Sequence, residues 1–213
     1  MAVDPQTILG WLRRLAALDT SVFDEIRGNP TSTIPAVAVV SVSILLSGMG
    51  GWLWWMVQGF PDSSDILVKS ALFGSVIAIA VWHIGWLLVV YILLTQFFRE
   101  RVFLEQLLRV MGVAMAPLGL TLLMWIPEVS LALGFAPLLL AFGLSVIAIG
   151  RVTTAEPAKV LAANVAGFLV WAVVMGLLVG RTDQYAPGVF LIEAPSDAAV
   201  NFYDLTKQAG LEP

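Results

Sequence analysis

Five long stretches of apolar residues constrain this chain more than any other feature. Each is long enough to cross the roughly 30 Å hydrocarbon core of a bilayer as a helix. Charged residues make up only 12% of the chain, against about 25% in a typical soluble domain, so a soluble enzyme is excluded. We therefore predict an all-α fold, a polytopic membrane helical bundle. Its five transmembrane helices are expected at residues 34–56, 66–97, 108–126, 129–150 and 159–180.

The N-terminal segment predicts an amphipathic helix over residues 4–26. Its apolar residues recur every three or four positions, and Asp4 followed by Pro5 is a typical helix start. Such a helix can lie in the plane of the lipid headgroups or pack on the loops of the bundle, and the sequence leaves both open. The chain divides into a cytoplasmic N-terminal helix (1–30), a five-helix membrane domain (31–180) and a short acidic extracytoplasmic tail (181–213).

Basic residues set the expected orientation, because loops rich in Lys and Arg stay in the cytoplasm. Eight of the eleven lie on one side of the predicted spans. The eight are Arg13, Arg14, Arg27, Arg99, Arg101, Arg109, Arg151 and Lys159. The charged residues between the second and third spans are expected to form a solvated face, with contact to lipid headgroups as the alternative; they are Arg99, Glu100, Arg101, Glu105 and Arg109. We expect a multi-pass protein of the cell membrane with its N-terminus in the cytoplasm and its C-terminus outside. The chain has no N-glycosylation sequon, which is compatible with a prokaryotic source.

Small residues and prolines predict how the spans pack. Small residues four apart allow close approach of helices in lipid, and two such stripes occur. They are Ser43, Ser47 and Gly51 in the first span and Ala172, Gly176 and Gly180 in the fifth. We expect them to serve packing within the bundle, with dimerisation as the alternative. Pro117 and Pro137 lie inside the third and fourth spans, where each frees a carbonyl one turn earlier and predicts a bend. Three tryptophans near the end of the first span, at 52, 54 and 55, are typical of an interfacial aromatic belt.

His83 is the only ionisable residue deep in a predicted span. Its imidazole could ligate the metal of a chlorophyll or haem, or relay a proton. Alternatively it hydrogen-bonds to a neighbouring helix, for instance to Thr121 or Ser145, and this packing role is the one we expect. Asn164, inside the fifth span, is expected to hydrogen-bond between helices, because an isolated amide in lipid needs a partner.

The remaining composition excludes several classes of site. The chain has no cysteine and a single histidine, so we expect no metal site built from protein ligands. No catalytic signature is present, and we expect neither a catalytic residue nor a bound cofactor. The net charge of −4 argues against a nucleic-acid partner.

Three stretches resemble the Yip1 domain family of five-span membrane proteins. They are Phe23-Asp24-Glu25-Ile26 shortly before Pro30, then residues 112–117 ending in Ala116-Pro117, and Pro157-Ala158-Lys159 with residues 167–171 after it. The resemblance covers residues 20 to 180 and implies five spans, a cytoplasmic N-terminus and a role in membrane organisation or trafficking. Eukaryotic members act with Rab GTPases, but this chain lacks their long N-terminal region, so that partner is not expected here.

The expected function is therefore that of a non-catalytic integral membrane protein of Yip1 type. Its partners would be the lipid bilayer and other membrane proteins or a second copy of itself. Two alternatives stay open. One is an accessory subunit of a larger membrane complex that contacts pigment or haem through His83. The other is a small permease, in which the prolines of the third and fourth spans break helices around a site.

Overall fold

The computed structural model describes residues 5–58 and 63–181, and over these residues it contains helices and no strand. Five helices are long and apolar enough to cross a bilayer. They are Pro30–Val57, Ser64–Phe97, Leu104–Trp125, Pro127–Gly150 and Pro157–Leu178, hereafter the first to fifth spans. The predicted all-α bundle of five spans is confirmed, with every boundary within four residues of its expected position. The chain is an integral multi-pass membrane protein.

The N-terminal segment forms two helices, α1 (Pro5–Ala16) and α2 (Val22–Gly28), so the prediction of one continuous helix was wrong. The break occurs at Leu18, which adopts a left-handed conformation with φ of 59°. The amides of Leu18 and Asp19 turn back to the carbonyls of Leu15 and Arg14, both at 2.9 Å. This is a Schellman-type helix end in which leucine occupies the position that glycine usually takes.

Both short helices pack on the bundle. Trp11 and Leu15 of α1 are 3% and 7% exposed, and the apolar residues of α2 are fully buried in the main hydrophobic core. Of the two placements that the sequence left open, the structure shows packing on the bundle.

The second span alternates between α-helical and π-helical turns. Its π-helical segments are Leu67–Gly74, Trp82–Leu87 and Leu93–Phe97. The α-helical segments are Ser63–Ile66, Ser75–Val81 and Leu88–Ile92. Such turns shift which side chains face the neighbouring helices, and they are frequent at functional sites.

The two prolines have different consequences. The third span is an α-helix over Leu104–Ala114 and then tightens into a 3₁₀-helix over Ala116–Trp125, in which Pro117 is the second residue. Pro137 lies inside the α-helix Ser130–Gly150 of the fourth span. The change in the third span follows from chemistry, because proline cannot donate the backbone hydrogen bond that continues an α-helix.

The spans pack in a ring. The first span, mainly the α-helix Thr33–Val57, contacts the second and third, and the third contacts the fourth. The fifth span, part of the α-helix Pro157–Arg181, contacts the fourth on one side and the second on the other. Helices α1 and α2 cover one end of this ring, together with the loops from the second to the third span and from the fourth to the fifth. We call this the basic end, because Arg14, Arg27, Arg109 and Arg151 lie there.

Candidate functional site

A buried polar cluster joins the second, fourth and fifth spans. Asn164 is fully buried, and its Oδ1 accepts a hydrogen bond from Trp86 Nε1 at 2.9 Å. Its Nδ2 donates to Ser145 Oγ at 2.8 Å and to the carbonyl of Phe142 at 3.3 Å. Ser145 Oγ in turn donates to that carbonyl at 2.7 Å. The amide therefore bonds to two neighbouring spans at once.

Aromatic rings surround this cluster. The ring of Trp86 lies 5.1 Å from Phe168 and 5.6 Å from Trp171, measured between centroids. Trp171 Nε1 donates to the carbonyl of Ala78 in the second span at 3.3 Å. Gly167 makes this approach possible, because a Cβ there would lie 2.7 Å from the carbonyl oxygen of Trp86. The arrangement fixes the register of three spans.

His83 does not bond to Thr121 or Ser145, so the specific partners suggested for it were wrong. Its Nδ1 lies 2.8 Å from the carbonyl oxygen of Ile79, one turn earlier in the same span. The hydroxyls of Thr121 and Ser145 are directed to carbonyls of their own helices, Leu118 and Phe142. The imidazole is only half-buried, at the outer side of the second span.

At the basic end, ion pairs and hydrogen bonds join α2 to the loop after the fourth span. Arg151 Nη1 lies 2.9 Å from Asp24 Oδ2, and Arg27 donates to the carbonyl of Arg151. In parallel, Glu25 accepts hydrogen bonds from Trp11 Nε1 at 3.1 Å and from Arg14 at 2.7 Å. These contacts hold both N-terminal helices against the bundle.

Asp19 lies in the turn between α1 and α2. Its carboxylate accepts hydrogen bonds from Ser21 and from Arg14 Nε, the latter at 2.8 Å. The bond from the Ser21 side chain, followed by that from Arg14, lowers the pKa of Asp19 to about 2. Both bonds favour the ionised carboxylate, so the turn keeps its negative charge at neutral pH.

Arg109 is buried, so the expectation that it belongs to a solvated face was wrong. It is 5% exposed, and its guanidinium donates to Thr33 Oγ1, to the carbonyl of Arg27 and to Glu105. The distances are 2.8, 3.1 and 3.1 Å. The physical reason is that the last carbonyls of α2 need donors, and a cation at a helix C-terminus also interacts favourably with the helix dipole.

The two predicted stripes of small residues differ in how deeply they are buried in the bundle. Ser43, Ser47 and Gly51 of the first span are all buried in the bundle. In the fifth span, Ala172 is partly buried, but Gly176 is exposed, and no described atom lies within 4 Å of a Cβ built on it. The expected close contact at Gly176 was therefore wrong within the described part of the chain. For Gly180 the structure describes the helical backbone but not the surroundings, so the prediction there lies outside what is described.

Close helix contacts occur at glycines that the stripe pattern did not identify. A Cβ on Gly48 would overlap Ser75 Oγ of the second span, and one on Gly50 would overlap the carbonyl oxygen of Thr121 in the third. A Cβ on Gly112 would lie 2.8 Å from the carbonyl oxygen of Ala36. A single glycine suffices where only one residue faces the crossing point, and such a position has no periodic signal.

Two of the three clustered tryptophans are internal. Trp54 and Trp55 are 4% and 7% exposed, and they pack with Ile66 and Met124 in a second, smaller hydrophobic cluster. The interpretation as an interfacial belt was therefore wrong for these two. Their rings fill space between the first, second and third spans.

These contacts are structural: the side chains of Asn164, Ser145 and Trp86 bond to one another inside the bundle, and Asp24 and Glu25 of α2 bond to arginines at its basic end. Among the described residues there is no group of three or more His, Cys, Asp or Glu side chains arranged to hold a metal ion. Trp86 is the main residue that sequence reasoning missed. The sequence does place Trp86 deep within a predicted span, and a buried indole N–H in lipid needs an acceptor.

Comparison of the chain with protein-family models, with curated proteins and with solved structures finds no match.

Proposed function

We propose that this chain is a non-catalytic membrane protein of Yip1 type that organises the membrane by binding a partner protein at its basic end. The observation that supports this is the convergence of the first two stretches that resemble the family, with the loop that leads to the third bonded to the first. Asp24 of the first stretch pairs with Arg151, six residues before the third stretch begins. Helix α2 also packs on the α-helix that contains Gly112, in the second stretch.

The convergence supports a shared fold because the residues concerned are at packing positions. Phe23 and Ile26 are fully buried, and Gly112 allows close approach of the first span. Residues that must fit together are those that a family with this architecture would keep similar. The same positions leave no free nucleophile or acid–base pair, so the proposed activity is binding.

A surface at the basic end supports the partner-binding role. The loop between the second and third spans exposes Phe97 and Phe103, which are 74% and 71% exposed. Arg99 and Arg101 lie between them in sequence and are also exposed. Exposed aromatic and arginine side chains in one short segment are typical of protein-binding surfaces. A partner with an acidic and apolar surface would fit this loop.

Photo-crosslinking in native membranes tests the role. With a benzophenone amino acid at Phe103, we expect a discrete protein adduct. The same group at Leu139, which is 67% exposed on the fourth span, is the matched control and should label lipid. Arg101→Glu should weaken the adduct. If Phe103 gives lipid adducts alone, as Leu139 does, the partner-binding function is wrong.

The orientation belongs to the same proposal: a cell membrane of prokaryotic type, with the basic end in the cytoplasm and the C-terminus outside. The distribution of basic residues supports it. Because the chain lacks cysteine, single cysteines at Asp19 and at Ser196, the latter outside the described residues, can be labelled selectively. We expect a membrane-impermeant maleimide to label Ser196→Cys from outside intact cells and Asp19→Cys only after permeabilisation. Labelling of both from the same side would contradict the topology.

A further inference from the structure

The hydrogen bond of His83 to its own helix distinguishes the two ring nitrogens. Its Nδ1 lies 2.8 Å from the carbonyl oxygen of Ile79. A carbonyl oxygen can only accept, so Nδ1 carries the proton and donates. In the neutral imidazole, Nε2 then carries a lone pair. The bond to the backbone therefore selects the tautomer in which Nε2 can act as a ligand.

The ring is also held in one orientation. The indole of Trp82 contacts it edge-on, with centroids 4.8 Å apart and an interplanar angle of 90°. Both residues lie in the π-helical segment Trp82–Leu87. A histidine that ligates a metal almost always donates its other N–H to a backbone carbonyl or carboxylate, which orients the ring. His83 has this arrangement.

Nε2 is accessible at the outside of the bundle. No hydrogen bond from a described group reaches it, and it is not among the buried polar atoms that lack a partner. On the same span, Val76 and Ile84 are 64% and 66% exposed, and the exposed Ala80 lies between them. At this depth the surroundings are hydrocarbon, in which an acceptor without a partner is unfavourable.

These facts restrict the chemistry of a group that could bind Nε2. A hydrated ion does not enter hydrocarbon, and among the described residues no three or more His, Cys, Asp or Glu side chains are grouped to hold a metal ion. A metal bound here must bring its other ligands with it in an apolar body. A metal tetrapyrrole does so, since its macrocycle supplies four nitrogens and leaves an axial position for one imidazole. The small side chain of Ala80, three residues before His83, leaves room for the edge of a flat ring.

We propose that His83 Nε2 is the axial ligand of a metal tetrapyrrole bound on the lipid-facing side of the second span. This replaces the expectation that His83 serves helix packing alone and that the chain binds no cofactor. The site is independent of the partner-binding surface at the basic end, so either proposal can fail without the other.

Zinc protoporphyrin IX is a suitable probe, because zinc in a porphyrin takes a single axial ligand. The protein in lipid nanodiscs is titrated with it and absorption is recorded. We expect a red shift of the Soret band that saturates at one porphyrin per chain in the wild type. His83→Gln, which keeps a donor and an acceptor, should lose the shift. If wild type and His83→Gln give the same titration, the porphyrin is only dissolved in the lipid and the proposal is wrong.

A second pair of variants keeps the test decisive if His83→Gln does not fold. Ala80→Phe leaves the imidazole in place but fills the space beside it, so the shift should be weakened or lost. The control is Gly143→Phe on the fourth span, where a Cβ meets no described atom within 4 Å. This variant should titrate as the wild type does. Equal shifts in Ala80→Phe and Gly143→Phe would overturn the proposed position of the macrocycle.

Discussion

Two glycines on the fifth span offer the same substitution in opposite surroundings. A Cβ on Gly167 would lie 2.7 Å from the carbonyl oxygen of Trp86 and 2.8 Å from its Cδ1. A Cβ on Gly176 would meet no described atom within 4 Å. In Gly167→Ala the second and fifth spans must separate or Trp86 must shift, and overpacking of this kind costs about 1–3 kcal/mol. In Gly176→Ala nothing has to move.

The comparison isolates the overlap because both variants gain the same helix propensity, about 1 kcal/mol for Gly→Ala in a helix interior. The gain cancels in the difference between them. We expect Gly167→Ala to be less stable than Gly176→Ala by about 1–3 kcal/mol, which corresponds to about 2–12 °C in Tm at 2–4 °C per kcal/mol. Thermal unfolding in one detergent, followed by tryptophan fluorescence, measures this. Equal melting temperatures would refute the close contact at Gly167, and a lower value for Gly176→Ala would restore the GxxxG interpretation.

Three further changes test other parts of the structure. Asn164→Ala leaves the N–H of the buried Trp86 without its acceptor, and we expect a loss of about 1–3 kcal/mol in the same assay. Leu18→Gly removes the strain of a left-handed leucine and should raise stability by up to about 1 kcal/mol; a loss would contradict the turn geometry. The lowered pKa of Asp19, about 2, means that its contribution is complete above its unfolded pKa near 3.8 and is lost as pH falls through 2. Stability of Asp19→Asn should therefore fall less than that of the wild type between pH 4 and pH 2.

The five spans could be predicted because burial in lipid requires long runs of apolar residues, which are a local property of the sequence. The break at Leu18 could not, since a left-handed residue at a helix end is usually glycine or asparagine, and leucine gives no such signal. The rotation of each span about its own axis could not be predicted either. In lipid, residues facing neighbours and residues facing the bilayer are both apolar, so composition does not separate Gly176 from Gly167.

For the candidate site, the sequence drew attention to Asn164 and His83 but did not determine their partners. Asn164 and His83 stand out because polar groups are rare in the spans. Asn164 meets Ser145 and Trp86 only when the ring order of the spans is known. The imidazole of His83 hydrogen-bonds to a backbone carbonyl of its own helix. Whether a side chain forms such a bond depends on the local helix geometry, which the residue types do not determine.

The contact between Asp24 and Arg151 has a consequence for biosynthesis. The two residues are 127 positions apart, so at 5–20 residues per second the ribosome needs about 6–25 s to add the second after the first. During that interval the apolar face of α2 has neither its ionic partner nor the completed ring beneath it. An amphipathic segment in that position can rest on the headgroup layer, and we expect it to do so until the loop after the fourth span is made. The last contacts of α2 with the bundle are therefore expected to form late in synthesis.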